Sequence, residues 1–230
     1  METYTFDKAH DEFGKKVLKA IQHIFPYVKH RLYVLVVKGY IPKKMYRTNG
    51  IIDDAIIELY SLYEGKLETE NEVRLKLFAL VDNRINELHD KEAFHKDTMS
   101  ISEILEEELK SLEEKFDFDA NNDPIMHEEL DDISYHQEAI KNTTVLYAGA
   151  EDNLVESLDI PITFDKLPET KRKALNRIYY WLPTETSNIL DLLTFGKLSY
   201  DEIAIIKSTE VYNIKKTVES LSLMFRVNLL

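Results

Sequence analysis

Residues 99 to 163 carry 18 acidic and 3 basic side chains, a net charge of −15 that exceeds the −13 of the whole 230-residue chain. A stretch so charged and so poor in apolar periodicity builds no core of its own, which divides the chain into two flanking segments that must supply the packed structure. Those flanks are nearly neutral, with 16 basic and 16 acidic residues in 1–98 and 10 and 8 in 164–230. The expected organisation is all-α: two small helical domains, residues 1–98 and 164–230, joined by an acidic linker, 99–163. One exposed helix is expected inside the linker near Ser102 to Lys115, ahead of a break at Asn121 to Pro124. Fields from exposed charges fade over roughly 8 Å at physiological salt, so the linker does not by itself keep the flanks from approaching a polyanion.

Helix is the default for the flanks, because only 6 Gly and 6 Pro interrupt 230 residues rich in Leu, Ile, Glu and Lys. The pattern predicts a helix from about Asp7 to Ile24, a second from Pro26 to Lys38, and a loop from Gly39 to Gly50. From Ile51 to Tyr63, the apolar residues Ile52, Ala55, Ile56, Leu59 and Tyr63 form a stripe opposite Asp53, Asp54 and Glu58, with Gly65 as the stop. Thr69 and Glu72 stand at capping-box spacing and open a helix that runs to Leu88 or beyond. Pro168 starts a helix through Trp181, Pro183 begins the next, and Gly196 ends it. Ser199 and Glu202 form a second capping box ahead of a short helix, and a turn at Ser208-Thr209 leads to a last helix with Val211, Ile214, Val218, Leu221 and Phe225 at helical spacing. A short helix, a tight turn and a longer helix are the parts of a helix-turn-helix. Phe78, Phe225 and the Tyr179-Tyr180-Trp181 run read as core.

Several chemistries are excluded at this stage. The chain has no Cys, hence no disulfide, thiolate metal site or Cys nucleophile, as suits a reducing cytoplasm. The Met1 to Asp7 start lacks a basic stretch followed by an apolar run, and the longest apolar cluster, Leu32 to Val37, is too short to span a bilayer. The seven His are scattered, with no His-x-x-x-His pair for a metal, no phosphate-cradling glycine loop and no nucleophile elbow. The expectation is a non-enzymatic protein with no metal, no cofactor and no membrane.

The string from Leu182-Pro183 through Ile189-Leu190, Leu198-Ser199-Tyr200-x-Glu202-Ile203-Ala204 to Ile214-Lys215 resembles the promoter-binding C-terminal domain of RNA polymerase sigma factors. Ahead of it, Gly50-Ile-Ile-Asp53-Asp54-Ala-Ile-Ile-Glu58-Leu resembles the family helix that docks on the clamp of core polymerase. Val73-Arg74-x-x-Leu77-Phe78 with Asn83 and Glu87 is similar to the helix that lies along the near promoter element. Together they cover about 40% of the chain and identify it with divergent sigma factors of the extracytoplasmic-function type. The resemblance implies a transcription initiation factor whose partners are core RNA polymerase, promoter DNA and an anti-sigma factor. It assigns polymerase binding to Asp53, Asp54 and Glu58, and DNA binding to Arg74, Lys76, Asn83 and Arg84 in the first segment and to Tyr212, Asn213, Lys215 and Lys216 in the last helix.

The chain departs from the family at Lys76, where Trp is common, at Ala79 and Asp82, at an acidic Gly65 to Glu72 loop that repels phosphate, and at Ser208 in place of the turn Gly. Polymerase binding is therefore the better supported half. Two other classes stay open: a sigma-derived interaction protein that no longer recognises promoters, and a stand-alone helix-turn-helix regulator that binds a palindrome as a dimer.

Overall fold

The computed structural model describes residues 2–63, 66–93, 116–118, 124–126, 145–147, 149–161 and 169–229. Eight helices run through them: α1 (Glu2–Val37), α2 (Thr48–Tyr63), α3 (Glu70–Ala93), α4 (Ala150–Ser157), α5 (Glu169–Trp181), α6 (Thr184–Thr194), α7 (Tyr200–Ile206) and α8 (Val211–Leu229). Among the described residues the fold is all-α but for one short hairpin, β1 (Phe116–Phe118) paired antiparallel with β2 (Pro124–Met126), Phe116 opposite Met126.

The chain forms two units, Met1–Phe94 with Thr144–Leu230 as one and His95–Thr143 as the other. This corrects the expected arrangement of two separate domains flanking a linker. The first and last segments share a single core, in which α1, α2 and α3 pack on one another and α6 and α7 lie against α1 and α3. The linker is also shorter than its charge suggests. Val145, Leu146, Ala150, Leu154, Val155, Leu158 and Ile160 are buried, so the stretch around α4 belongs to the first unit despite Glu151, Asp152, Glu156 and Asp159. With these included, the first unit holds 25 basic and 27 acidic residues and the second 4 and 15. The helix expected at Ser102 to Lys115, Gly65 and Pro168 lie outside the described residues.

Two boundaries differ for identifiable reasons. α1 passes straight through Pro26 instead of restarting there. Pro26 and Gln22 both face outward, so the carbonyl that loses its amide partner is on the solvent side, and burial of Ile24, Tyr27 and Val28 on the other side holds the helix together. α2 starts three residues early, its first turn anchored by the Ile51 amide donating to the Arg47 carbonyl at 3.3 Å. Both capping boxes form: Glu72 N donates to Thr69 Oγ1 at 3.1 Å and Thr69 N to Glu72 Oε2 at 3.2 Å, and Ser199 and Glu202 repeat the exchange at α7. Gly196 is required by packing, since a Cβ there would stand 2.5 Å from the Leu192 carbonyl and 3.2 Å from Phe78 Cε1. That contact brings α3 against the end of α6. Trp181 is 75% exposed, contrary to its reading as core.

Candidate functional site

On α2, Ile51, Ile52, Ala55 and Leu59 are buried and Asp53, Asp54 and Glu58 point outward. Ile57 and Leu62 share the outward side and are also exposed. The outer surface of α2 is therefore mixed, carboxylates interleaved with branched apolar side chains, as suits a protein partner better than open solvent. Asp53 and Glu58 have no ion pair among the described residues. Asp54 faces Arg84 Nη2 of α3 at 3.4 Å, and Arg84 also approaches Glu87 at 3.7 Å. One expected polymerase contact and one expected DNA contact thus neutralise each other. A cleft of about 380 Å³ opens beside this pair, lined by Tyr46, Arg47, Asp54, Arg84, Glu87 and Lys91 among others.

The other α3 candidates divide. Asn83 is exposed, and Lys76 is exposed with its ammonium 5.6 Å from the centre of the Tyr63 ring. Arg74 is not free: its guanidinium donates to Asn71 Oδ1 at 2.9 Å and to Glu202 of α7, the same glutamate that closes the second capping box. On α8 the buried row is Ile214, Val218, Leu221, Phe225 and Leu229, and Tyr212, Asn213, Lys215 and Lys216 all stand exposed on the outer face of its first two turns. The turn before α8 places Ser208 at φ +51°, a left-handed conformation natural to Gly.

Between the α1 and α3 side and the α6 and α7 side runs a buried polar seam. Asp82, one of the departures from the family pattern, lies within it. Its Oδ1 accepts from Asn188 Nδ2 at 2.6 Å and its Oδ2 from Lys207 Nζ at 2.7 Å. The Tyr27 hydroxyl is 2.8 Å from both Asp82 Oδ1 and Asn188 Oδ1, and its single proton serves one at a time. One turn along, Asp191 accepts from Tyr179 OH at 2.7 Å and from Arg31 Nη1 at 3.0 Å. Because the Tyr179 proton is directed at Asp191, its oxygen is left to accept from His30 Nε2 at 3.0 Å. The His30 ring stacks on Phe195, centroids 3.7 Å apart.

The electrostatics of the seam follow from burial set against pairing. Burial pushes the Asp191 carboxyl upward, but His30, Arg31 and the Tyr179 hydrogen bond outweigh it and hold the group below the usual aspartate range. Burial and the neighbouring carboxylates push the Tyr27 and Tyr179 hydroxyls well above theirs. Satisfaction is incomplete. Among the described residues, Arg31 Nε and Nη2, His30 Nδ1 and Thr194 Oγ1 are buried with no protein hydrogen-bond partner.

Sequence reasoning missed this seam apart from Asp82. The available signal was Asp191 inside the apolar run Ile189 to Leu193, with Asn188 one turn ahead of it, together with His30-Arg31 directly before the apolar run Leu32 to Val37. Among the described residues no group of three or more His, Asp or Glu converges as a metal site, and no helix is long and apolar enough to cross a membrane. No protein-family model, curated protein or solved structure matches the chain.

Proposed function

We propose that the protein is a divergent sigma factor: a non-enzymatic, cytoplasmic transcription initiation factor that binds core RNA polymerase and directs it to promoter DNA. The observation that carries this reading is the first half of α8. Tyr212, Asn213, Lys215 and Lys216 form an exposed row there, behind a left-handed turn residue and a capped short helix, the arrangement a helix-turn-helix offers to a major groove. The outer face of α2 supports the polymerase half, since Asp53 and Glu58, without an ion pair among the described residues, stand on the same side as exposed Ile57 and Leu62. Lys and Asn on α8 offer phosphate and base-edge contacts, and a Tyr adds a stacking or apolar surface.

A second reading is favoured by a specific observation. Arg74 is engaged by Glu202 and Asp82 is sealed in the core, so part of the surface of α3 that would meet the near promoter element is occupied. An interaction protein that binds polymerase or another regulator without reading promoters fits these two residues as well.

Co-elution of the purified chain with core RNA polymerase on a sizing column tests the common part of both readings. Changing Asp53 and Glu58 together to Ala is expected to weaken binding roughly five- to ten-fold, with Asp54 left in place because it also holds Arg84. Absence of co-elution at micromolar concentration, or binding indifferent to the two changes, overturns the docking role of α2. Promoter-dependent transcription by the assembled complex then separates the first reading from the second.

A further inference from the structure

Trp181 is the single Trp of the chain, and it ends α5 with 75% of its surface exposed. The ring is held in place by the partly buried Tyr180, which it meets edge-on at 5.5 Å and 84°. Beside it opens a groove of about 460 Å³, lined by Ile178, Leu182, Pro183 and Met224 and by Arg177. Met224 is exposed, and so are its neighbours on α8, Leu223 and Val227. These four exposed apolar side chains leave on the order of 500 Å² in water, toward the upper end of the largest patch a monomer carries. Trp, Met and Arg are residue types that protein interfaces concentrate, and a ring already fixed loses little freedom when it is covered.

Shape and charge both indicate what covers this face. A prominent ring stands directly beside an apolar groove, so a copy turned about a two-fold axis lays its Trp181 into the groove of the first and receives the first Trp181 in its own. Arg177 precedes Trp181 by four residues and Glu185 follows it by four; both are exposed, and neither has an ion pair among the described residues. One unpaired charge of each sign suits a second copy of the same face, whereas a polyanion would meet Glu185. We propose that the chain pairs with a second copy of itself here, Trp181 of each seated against Met224 of the other and Arg177 of each facing Glu185 of the other. The face is smaller than the roughly 800 Å² per partner of a standard interface, so the pair is weak and forms only as concentration rises. Lys216, the last of the exposed α8 row, lies about 10 Å along the helix from Leu223, so the pair leaves both copies of that row open. The pairing does not depend on the sigma-factor reading.

Because the chain has one Trp, its fluorescence reports on the ring that the pair covers. The full chain is taken from about 1 μM to about 200 μM, the range in which a weak interface fills. Trp emission is expected to move to shorter wavelength as the sedimenting mass rises from 27.0 kDa toward twice that value. Met224→Lys, which sets a charge in the covered groove, is expected to raise the dissociation constant at least about ten-fold. Arg177→Glu is expected to raise it about five-fold, and Glu185→Arg in the same chain to restore it. Circular dichroism checks that these exposed substitutions keep the fold, and if Met224→Lys loses helix, Arg177→Glu and its reversal decide. A mass of 27.0 kDa with unmoved emission across the whole range overturns the proposal; weaker co-elution of Met224→Lys with core RNA polymerase would then assign the face to that partner. A dimer whose Trp emission does not move also overturns it, because its interface lies elsewhere.

Discussion

Asp191 is where the energetics of the seam concentrate. It is fully buried, takes hydrogen bonds from Tyr179 and Arg31 and faces His30 at 3.4 Å. Removing one member of a buried charged group leaves the others desolvated without compensation, so Asp191→Ala is expected to lower stability by about 3–5 kcal/mol in urea unfolding. A loss below about 1 kcal/mol would mean that Arg31 and His30 find other partners. Reading such a residue from the chain is only half possible. The polar pair Asn188 and Asp191 is visible in the run Ser187 to Leu193, and so is His30-Arg31 in the run from Tyr27 to Val37. Their pairing is not, because Arg31 and Asp191 are 160 residues apart and no local rule brings α1 against α6. The outward residues fared otherwise. The exposure of Asp53, Glu58, Lys76, Asn83 and the α8 row follows from helical periodicity alone, whereas the capture of Arg74 by α7 and of Asp54 by Arg84 depends on how helices pack.

Helix ends were legible wherever the stop or start chemistry is local, as at both capping boxes, at Pro183 and at Gly196. They were not legible where burial on one face overrides a local breaker, which is how α1 continues past Pro26. The hairpin β1–β2 lies in the stretch read as an acidic linker, although Phe-Asp-Phe alternation beside Asn-Asn-Asp is itself a strand and turn signal. The α7 to α8 turn combines the two situations. Its position was legible, but Ser208 sits at φ +51°, where a Cβ costs roughly 1 kcal/mol that Gly does not incur. Ser208→Gly is therefore expected to raise the unfolding free energy by about 0.5–1 kcal/mol, less the entropy Gly adds to the unfolded chain, with the helical content by circular dichroism unchanged. Destabilisation instead would show that the Ser208 side chain contributes more than its backbone costs.

For the molecule as a whole, the two terminal segments close on each other, and charge composition, which placed the only visible boundary, had suggested separation. The titrating groups of the seam set the pH range of that closure. Asp191 has a folded pKa below its unfolded value of about 3.9, so its contribution is complete above that value and is lost as the pH falls through the folded one. Tyr27 and Tyr179 have folded values raised well above about 10, so theirs is complete below that pH and is lost as it rises further. The thermal midpoint should form a plateau between about pH 4 and about pH 10 with a fall on each side, and Asp191→Asn should flatten the acid limb; an acid limb identical in that variant would place its cause elsewhere. The same closure bears on how the protein comes into being. Asp82 leaves the ribosome 125 residues ahead of Lys207, an interval on the order of ten seconds at roughly 5–20 residues per second. For that time the nascent α3 carries an unpaired Asp82 and an uncovered Arg74, so every newly made copy passes through an open form before its last helices arrive to close it.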